Sequence, residues 1–150
     1  MAKTAKAKPK IKAQTKRPAQ AGNSLESVYS GIEEILKRHA PPFLFKDLGV
    51  RNKKSAHITV PRPVVVPGSY GGKPVPVPLA AVILQKGYVG LYLMCVYMNK
   101  EAERKISPNL MNLLKGKSCF HVKKLDDGLR VDIEAALELG TKAYKERGWL

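Results

Sequence analysis

A thiol, an imidazole and four lysines fall within the fifteen residues LLKGKSCFHVKKLDD, Leu113 to Asp127. On an extended strand Cys119 and His121 share a face with their α-carbons about 7 Å apart, while Phe120 and Val122 point the other way. A thiol beside an imidazole could form a thiolate nucleophile. That chemistry also needs a group to orient the ring and donors for an oxyanion, and a strand interior supplies neither by itself. Cysteine is among the most commonly buried residues, so the pair reads as a packed thiol next to a hydrogen-bonded histidine. No catalytic residue and no enzymatic activity are expected.

The other soft ligands are Cys95, His39 and His57, and none stands at a zinc-site spacing such as C-x-x-C or H-E-x-x-H. Cys95 and Cys119 could be neighbours across a sheet, which would give two ligands without a closed set of four. Carboxylates offer a harder site: Asp126, Asp127, Glu134 and Glu138 crowd one segment, and oxygen donors suit iron or magnesium. These four are the candidate metal residues and iron the one cofactor considered. Arg130, Lys142 and Lys145 are interspersed among them, as on a solvated helix face. The glycines and lysine of GSYGGKP lack the following Ser or Thr and the helix of a phosphate loop, so this stretch reads as a hairpin loop.

Charge adds a third possibility. The chain carries 27 basic and 12 acidic residues, a net +15. Lys3, Lys6, Lys8, Lys10, Lys12, Lys16 and Arg17 stand in residues 1–22 with no acidic residue among them. One branched aliphatic, Ile11, and no aromatic cannot offset the entropy of ordering, so this segment reads as a disordered tail. It could hold nucleic acid by counterion release, without sequence preference, because the aromatic residues of an RNA-reading sheet are missing.

The elements that position these groups are legible from periodicity. The domain is expected at 23–150. Leu25, Val28, Tyr29, Ile32, Ile35, Leu36 and His39 repeat at helical spacing, with Asn23 or Ser24 as cap and Pro41 as stop. The residues from Ala56 to Asn99 turn to β: HITV and PRPVVVPG are short, proline-limited strands, and PLAAVILQ, the turn KG and YVGLYLMCVYM form a hairpin. Both faces of its second strand are apolar through Met98, so it is expected to be central and covered on both sides. Tyr88, Tyr92 and Tyr97, with Met94 and Met98, could line a small-molecule cleft. A short helix, ISPNLMNLLKG, runs from Ser107 as cap to Gly116 as stop, and KSCFHVKKL is a further strand. A closing helix starts at Asp126 or Asp127, stops at Gly148 and buries Leu129, Ile133, Ala136, Leu137, Gly140 and Tyr144. Hairpins in sequence with flanking helices make an α+β fold with a mainly antiparallel sheet.

Neither a run of ~18 to 20 apolar residues nor a secretory segment is present, so a cytoplasmic protein without a membrane partner is expected. Its cysteines would remain thiols there.

In order and spacing, AAVILQKGYVGLYLMCVYMN, ISPNLMNLLKGKSCFHVKKLDD and AYKERGWL resemble the YdhG-like family of small bacterial proteins, over about Leu25 to Leu150. The resemblance implies a curved antiparallel sheet and no established catalytic residues. One branch of that family is linked to iron delivery in a frataxin-like role. The proline-dense VPRPVVVPGSYGGKPVPVPL departs from the family's early strands, and the basic tail lies outside the shared domain. The resulting expectation is a non-enzymatic binding domain. Its sheet face, around Tyr88, Tyr92, Cys119, His121 and Lys123, would receive a small ligand or a protein partner. Iron delivery and tail-mediated nucleic-acid binding stand as alternatives.

Overall fold

A computed structural model describes residues 24–150. The basic segment 1–22, with Lys3, Lys6, Lys8, Lys10, Lys12, Lys16 and Arg17, lies outside the described residues, as does Asn23.

Helix α1 (Leu25–His39) begins where the Ser24 side chain accepts a hydrogen bond from the Ser27 amide, and it buries Val28, Tyr29, Ile32, Ile35 and Leu36. Strands β1 (Leu44–Asp47) and β2 (Ser55–Thr59) follow. The proline-rich excursion holds a separate two-stranded ribbon, β3 (Val64–Val65) with β4 (Pro74–Val75). The prolines explain why these strands stay two residues long, since each removes a backbone donor from the ladder. Next come β5 (Pro78–Leu84), β6 (Val89–Leu93), α2 (Met94–Met98), α3 (Lys100–Arg104) and α4 (Pro108–Met111). The chain closes with β7 (Leu114–Lys115), β8 (Cys119–Val122) and α5 (Asp127–Glu146).

Six strands form one sheet in the order β1, β2, β5, β6, β8, β7, with every neighbouring pair antiparallel. The fold is α+β, as the element order implied. Directly opposed residues of antiparallel strands share a face. One face therefore presents Ala56, Ile58, Val82, Leu91, Phe120 and Val122, all with zero exposure. They join Ile32, Ile35, Ile133 and Leu137 of α1 and α5 in the core. Close approach of α5 depends on Gly140. A Cβ there would stand 2.5 Å from Leu79 Cδ1 and 3.2 Å from both Cβ and Sγ of Cys95.

Three expectations are corrected. The strand foreseen from Tyr88 to Met98 stops at Leu93, and Met94–Met98 coils into α2. Its first half is central, but only one of its faces lies under helices: Val89, Leu91 and Leu93 are buried while Tyr88 and Tyr92 are half-buried. A strand feeding directly into a helix keeps an unbroken apolar run, and periodicity cannot separate the two over so few residues. The helix foreseen to reach Gly116 ends at Met111. Gly116, at φ 84°, instead serves the turn between β7 and β8, a conformation glycine adopts without steric cost.

Candidate functional site

The uncovered face of the sheet carries a row built from side chains of all six strands. Cross-strand pairing aligns Lys46, His57, Ala81, Tyr92, Cys119 and Lys115 in that order from β1 to β7. Four of the five residues expected to bind a ligand meet here. Tyr92 and Cys119 are directly opposed, and His121 is opposed to Gly90 one step along. The Tyr88 ring stacks on His121 with centroids 3.8 Å apart and planes 12° from parallel.

Gly90 allows this arrangement. A Cβ at that position would approach Tyr92 Cε1 to 3.1 Å and Tyr88 Cε2 to 3.6 Å, so the two tyrosine rings lean over bare backbone. Burial, followed by hydrogen bonding with Cys119, holds the Tyr92 hydroxyl above its ordinary pKa. Further along the row, burial and then the positive Lys46 push His57 below its ordinary value. Both act in the same direction because each disfavours the charged ring. His57 Nε2 and Thr59 Oγ1 are enclosed without a hydrogen-bond partner.

Lys123 lies past the end of β8 and belongs to a different surface. It lines a cleft of about 750 Å³ with Lys115, Lys124, His121, Asn109, Asn112 and Asp126, floored by Leu113 and Leu129. Three segments meet there: the end of α4, the β7–β8 ribbon and the first turn of α5. The His121 amide donates to the Leu113 carbonyl at 2.9 Å, which ties the two strands together at the cleft wall. Asp126 caps α5, its Oδ1 accepting from the Leu129 amide at 2.8 Å. Its charge is therefore placed against the positive end of that helix. Among the described residues, no ion pair holds Lys115, Lys123 or Lys124. His121 and Lys115 are common to the uncovered face and the cleft.

The cleft adds Asn109, Asn112, Leu113, Lys115, Lys124 and Leu129 to the residues foreseen. Lys115 and Lys124 were legible only as local charge. The asparagines gave no signal, because two amides in a short helical stretch point nowhere until the β7–β8 ribbon folds back beside them.

The metal candidates are not gathered. Asp126 and Asp127 open α5, whereas Glu138 is about 16 Å from Asp127 along the helix at its rise per residue. Glu134 pairs with Arg38 at 3.5 Å. Glu138 borders a separate cleft of about 370 Å³ among Arg38, His39, Lys142 and Lys145. Among the described residues, no three His, Cys, Asp or Glu side chains converge as a metal site would require. The two thiols also part company: Cys95 is buried beside α5, its Sγ 3.9 Å from the Ala136 carbonyl oxygen, whereas Cys119 lies on the uncovered face. Burial pushes the Cys95 pKa up to about 11, which suppresses thiolate there.

No helix among the described residues is long and apolar enough to cross a membrane. Protein-family models, curated proteins and solved structures yield no match to this chain.

Proposed function

We propose that this chain is a non-enzymatic binding domain of the YdhG-like kind that receives a small ligand in the cleft beside His121. The observation that carries the reading is the 750 Å³ cleft itself, with an apolar floor and polar groups converging from three elements. Its size falls in the range of small-molecule sites, which are characteristically apolar concavities with a few placed polar groups. The stacked Tyr88 ring fixes His121 at the wall, so binding can be relayed to the sheet face through one ring contact.

Kinship is supported by the sheet, which sets the two family-like segments QKGYVGLY and LKGKSCFHVKKLD side by side through β6 and β8. The non-enzymatic reading is supported by the partners of the reactive groups. His121 is stacked on Tyr88, and Cys119 faces the Tyr92 hydroxyl rather than a base held by a carboxylate. The catalytic use of this thiol would need that third group.

The test compares the untagged protein with Asn112→Trp, which fills the cleft from its rim. Native mass spectrometry and metal analysis would identify what accompanies each, and amide NMR would record binding of a fragment library. Shifts centred on His121 and Lys123 that vanish in Asn112→Trp are expected. A copurifying molecule retained in full by the variant would refute the assignment, as would a library that leaves those amides unmoved.

A further inference from the structure

We infer that the ligand of this cleft is a phosphomonoester: a small organic molecule bearing a terminal phosphate. This inference rests on the cleft being a ligand site and adds the chemical class. Three cations, Lys115, Lys123 and Lys124, line the cleft against one anion, Asp126. Counting the lysines and the carboxylate alone, the balance is three positive less one negative, or +2. A phosphate monoester carries about −1.5 to −2 at neutral pH, which complements that balance.

The donors also match phosphate better than carboxylate. A planar carboxylate is best met by the flat fork of arginine, and among the described residues no arginine lines this cleft. Lysines act as separate point charges that can approach a tetrahedral group from several directions. These lysines come from both sides of the β7–β8 ribbon: Lys115 from one strand, Lys123 and Lys124 from the segment beyond the other. The single carboxylate is already held as the cap of α5, so it does not compete for the lysines at short range.

The remaining volume indicates an organic body. A cleft of about 750 Å³ is far larger than a bare phosphate needs, and Leu113 and Leu129 give that excess space an apolar floor. Asn109 and Asn112 supply amide donors and acceptors on the α4 side, suited to hydroxyl or ring nitrogen atoms of the ligand. The lysines would thus anchor one end while the leucines and asparagines select the other.

The probes are phenyl phosphate, phenol, benzoate and inorganic phosphate, titrated into the full chain by amide NMR with calorimetry as a second readout. Saturable binding of phenyl phosphate at one site is expected, with shifts at His121, Lys123 and Asn112. It should be tighter than binding of inorganic phosphate and much tighter than that of phenol or benzoate. The triple variant Lys115→Gln, Lys123→Gln, Lys124→Gln should weaken phenyl phosphate by roughly tenfold or more, since charge-assisted contacts to phosphate are the strong ones. An unchanged spectrum outside the cleft would report intact folding, and single-lysine variants would keep the comparison available should the triple variant misfold. Phenol or benzoate binding as well as phenyl phosphate would overturn the phosphate assignment while leaving the cleft reading intact. Indifference of the cleft amides to every probe, and to the wider fragment library, would overturn both.

Discussion

Replacing Gly140 with alanine tests the packing that holds α5 against the sheet. In most helices this exchange is favourable, by about 1 kcal/mol of backbone propensity. Here the added methyl would sit 2.5 Å from Leu79 Cδ1 and 3.2 Å from Cys95 Cβ and Sγ. Carbon atoms prefer separations of about 3.5 to 4.0 Å, so Leu79 must retreat by roughly 1 Å or the helix must lift. Leu79 has zero exposure and Cys95 only 1%, so neither has free space to move into. Overpacking of this kind costs about 1 to 3 kcal/mol. Subtracting the propensity gain leaves a net loss of about 0 to 2 kcal/mol, in contrast to the gain the exchange gives in an unobstructed helix. Urea unfolding should show a lower midpoint with an unchanged slope, the mark of a stability change without a change in exposed surface. Gly128→Ala in the same helix is the control. There the nearest contact of a Cβ would be Asp126 Oδ1 at 3.5 Å, so that variant should match or exceed the parent. Leu79→Ala in the Gly140→Ala background should recover part of the overpacking loss, giving a non-additive cycle. A Gly140→Ala protein as stable as the Gly128→Ala control would refute the claim that the glycine exists to admit Leu79 and Cys95.

The two thiols should differ in access: a water-soluble disulfide reagent on the native protein should modify Cys119 and spare Cys95, with both reacting in denaturant. Equal rates in the native state would contradict the buried placement of Cys95. Because the folded protein resists protonating His57, the unfolded chain takes up the proton first as pH falls below about 6.5. Stability should therefore decline below that pH, and His57→Gln should remove part of the decline. The same pH dependence in parent and variant would show that His57 does not contribute. Deleting residues 1–22 should abolish salt-sensitive DNA binding. The seven basic residues limit the slope of log affinity against log salt to about −6 on duplex DNA, and full affinity in the truncated chain would place binding elsewhere.

Both long helices were legible because their apolar residues recur at helical spacing and their ends carry chemical signs: Ser24 and Asp126 do cap α1 and α5. The hairpin of β5 and β6 was legible from the Lys86-Gly87 turn between two apolar runs. Strand β1 has no such signature because LFKD is short, runs two apolar residues into two polar ones without alternation, and follows closely on two prolines. The end of β6 was hidden for a different reason. Leu93 and Met94 are both apolar, and only the packing of α2 on α5 decides where extension gives way to coil. Of the site, Tyr88, Tyr92, Cys119 and His121 share a face because alternation on paired strands places them there. The separate position of Lys123 and the opposing wall of Asn109 and Asn112 depend on how the β7–β8 ribbon meets α4, a tertiary event without a local signature.

The row from Lys46 to Lys115 has a consequence for life among other unfolded and nascent chains. Its terminal members stand on the outermost strands, one of four residues and the other of two. Brief margins bearing ammonium groups make poor templates for a stranger's backbone, because docking would bring like charges together for few hydrogen bonds gained. The ammonium group of Lys115 at one margin and that of Lys46 at the other thus discourage fibril growth.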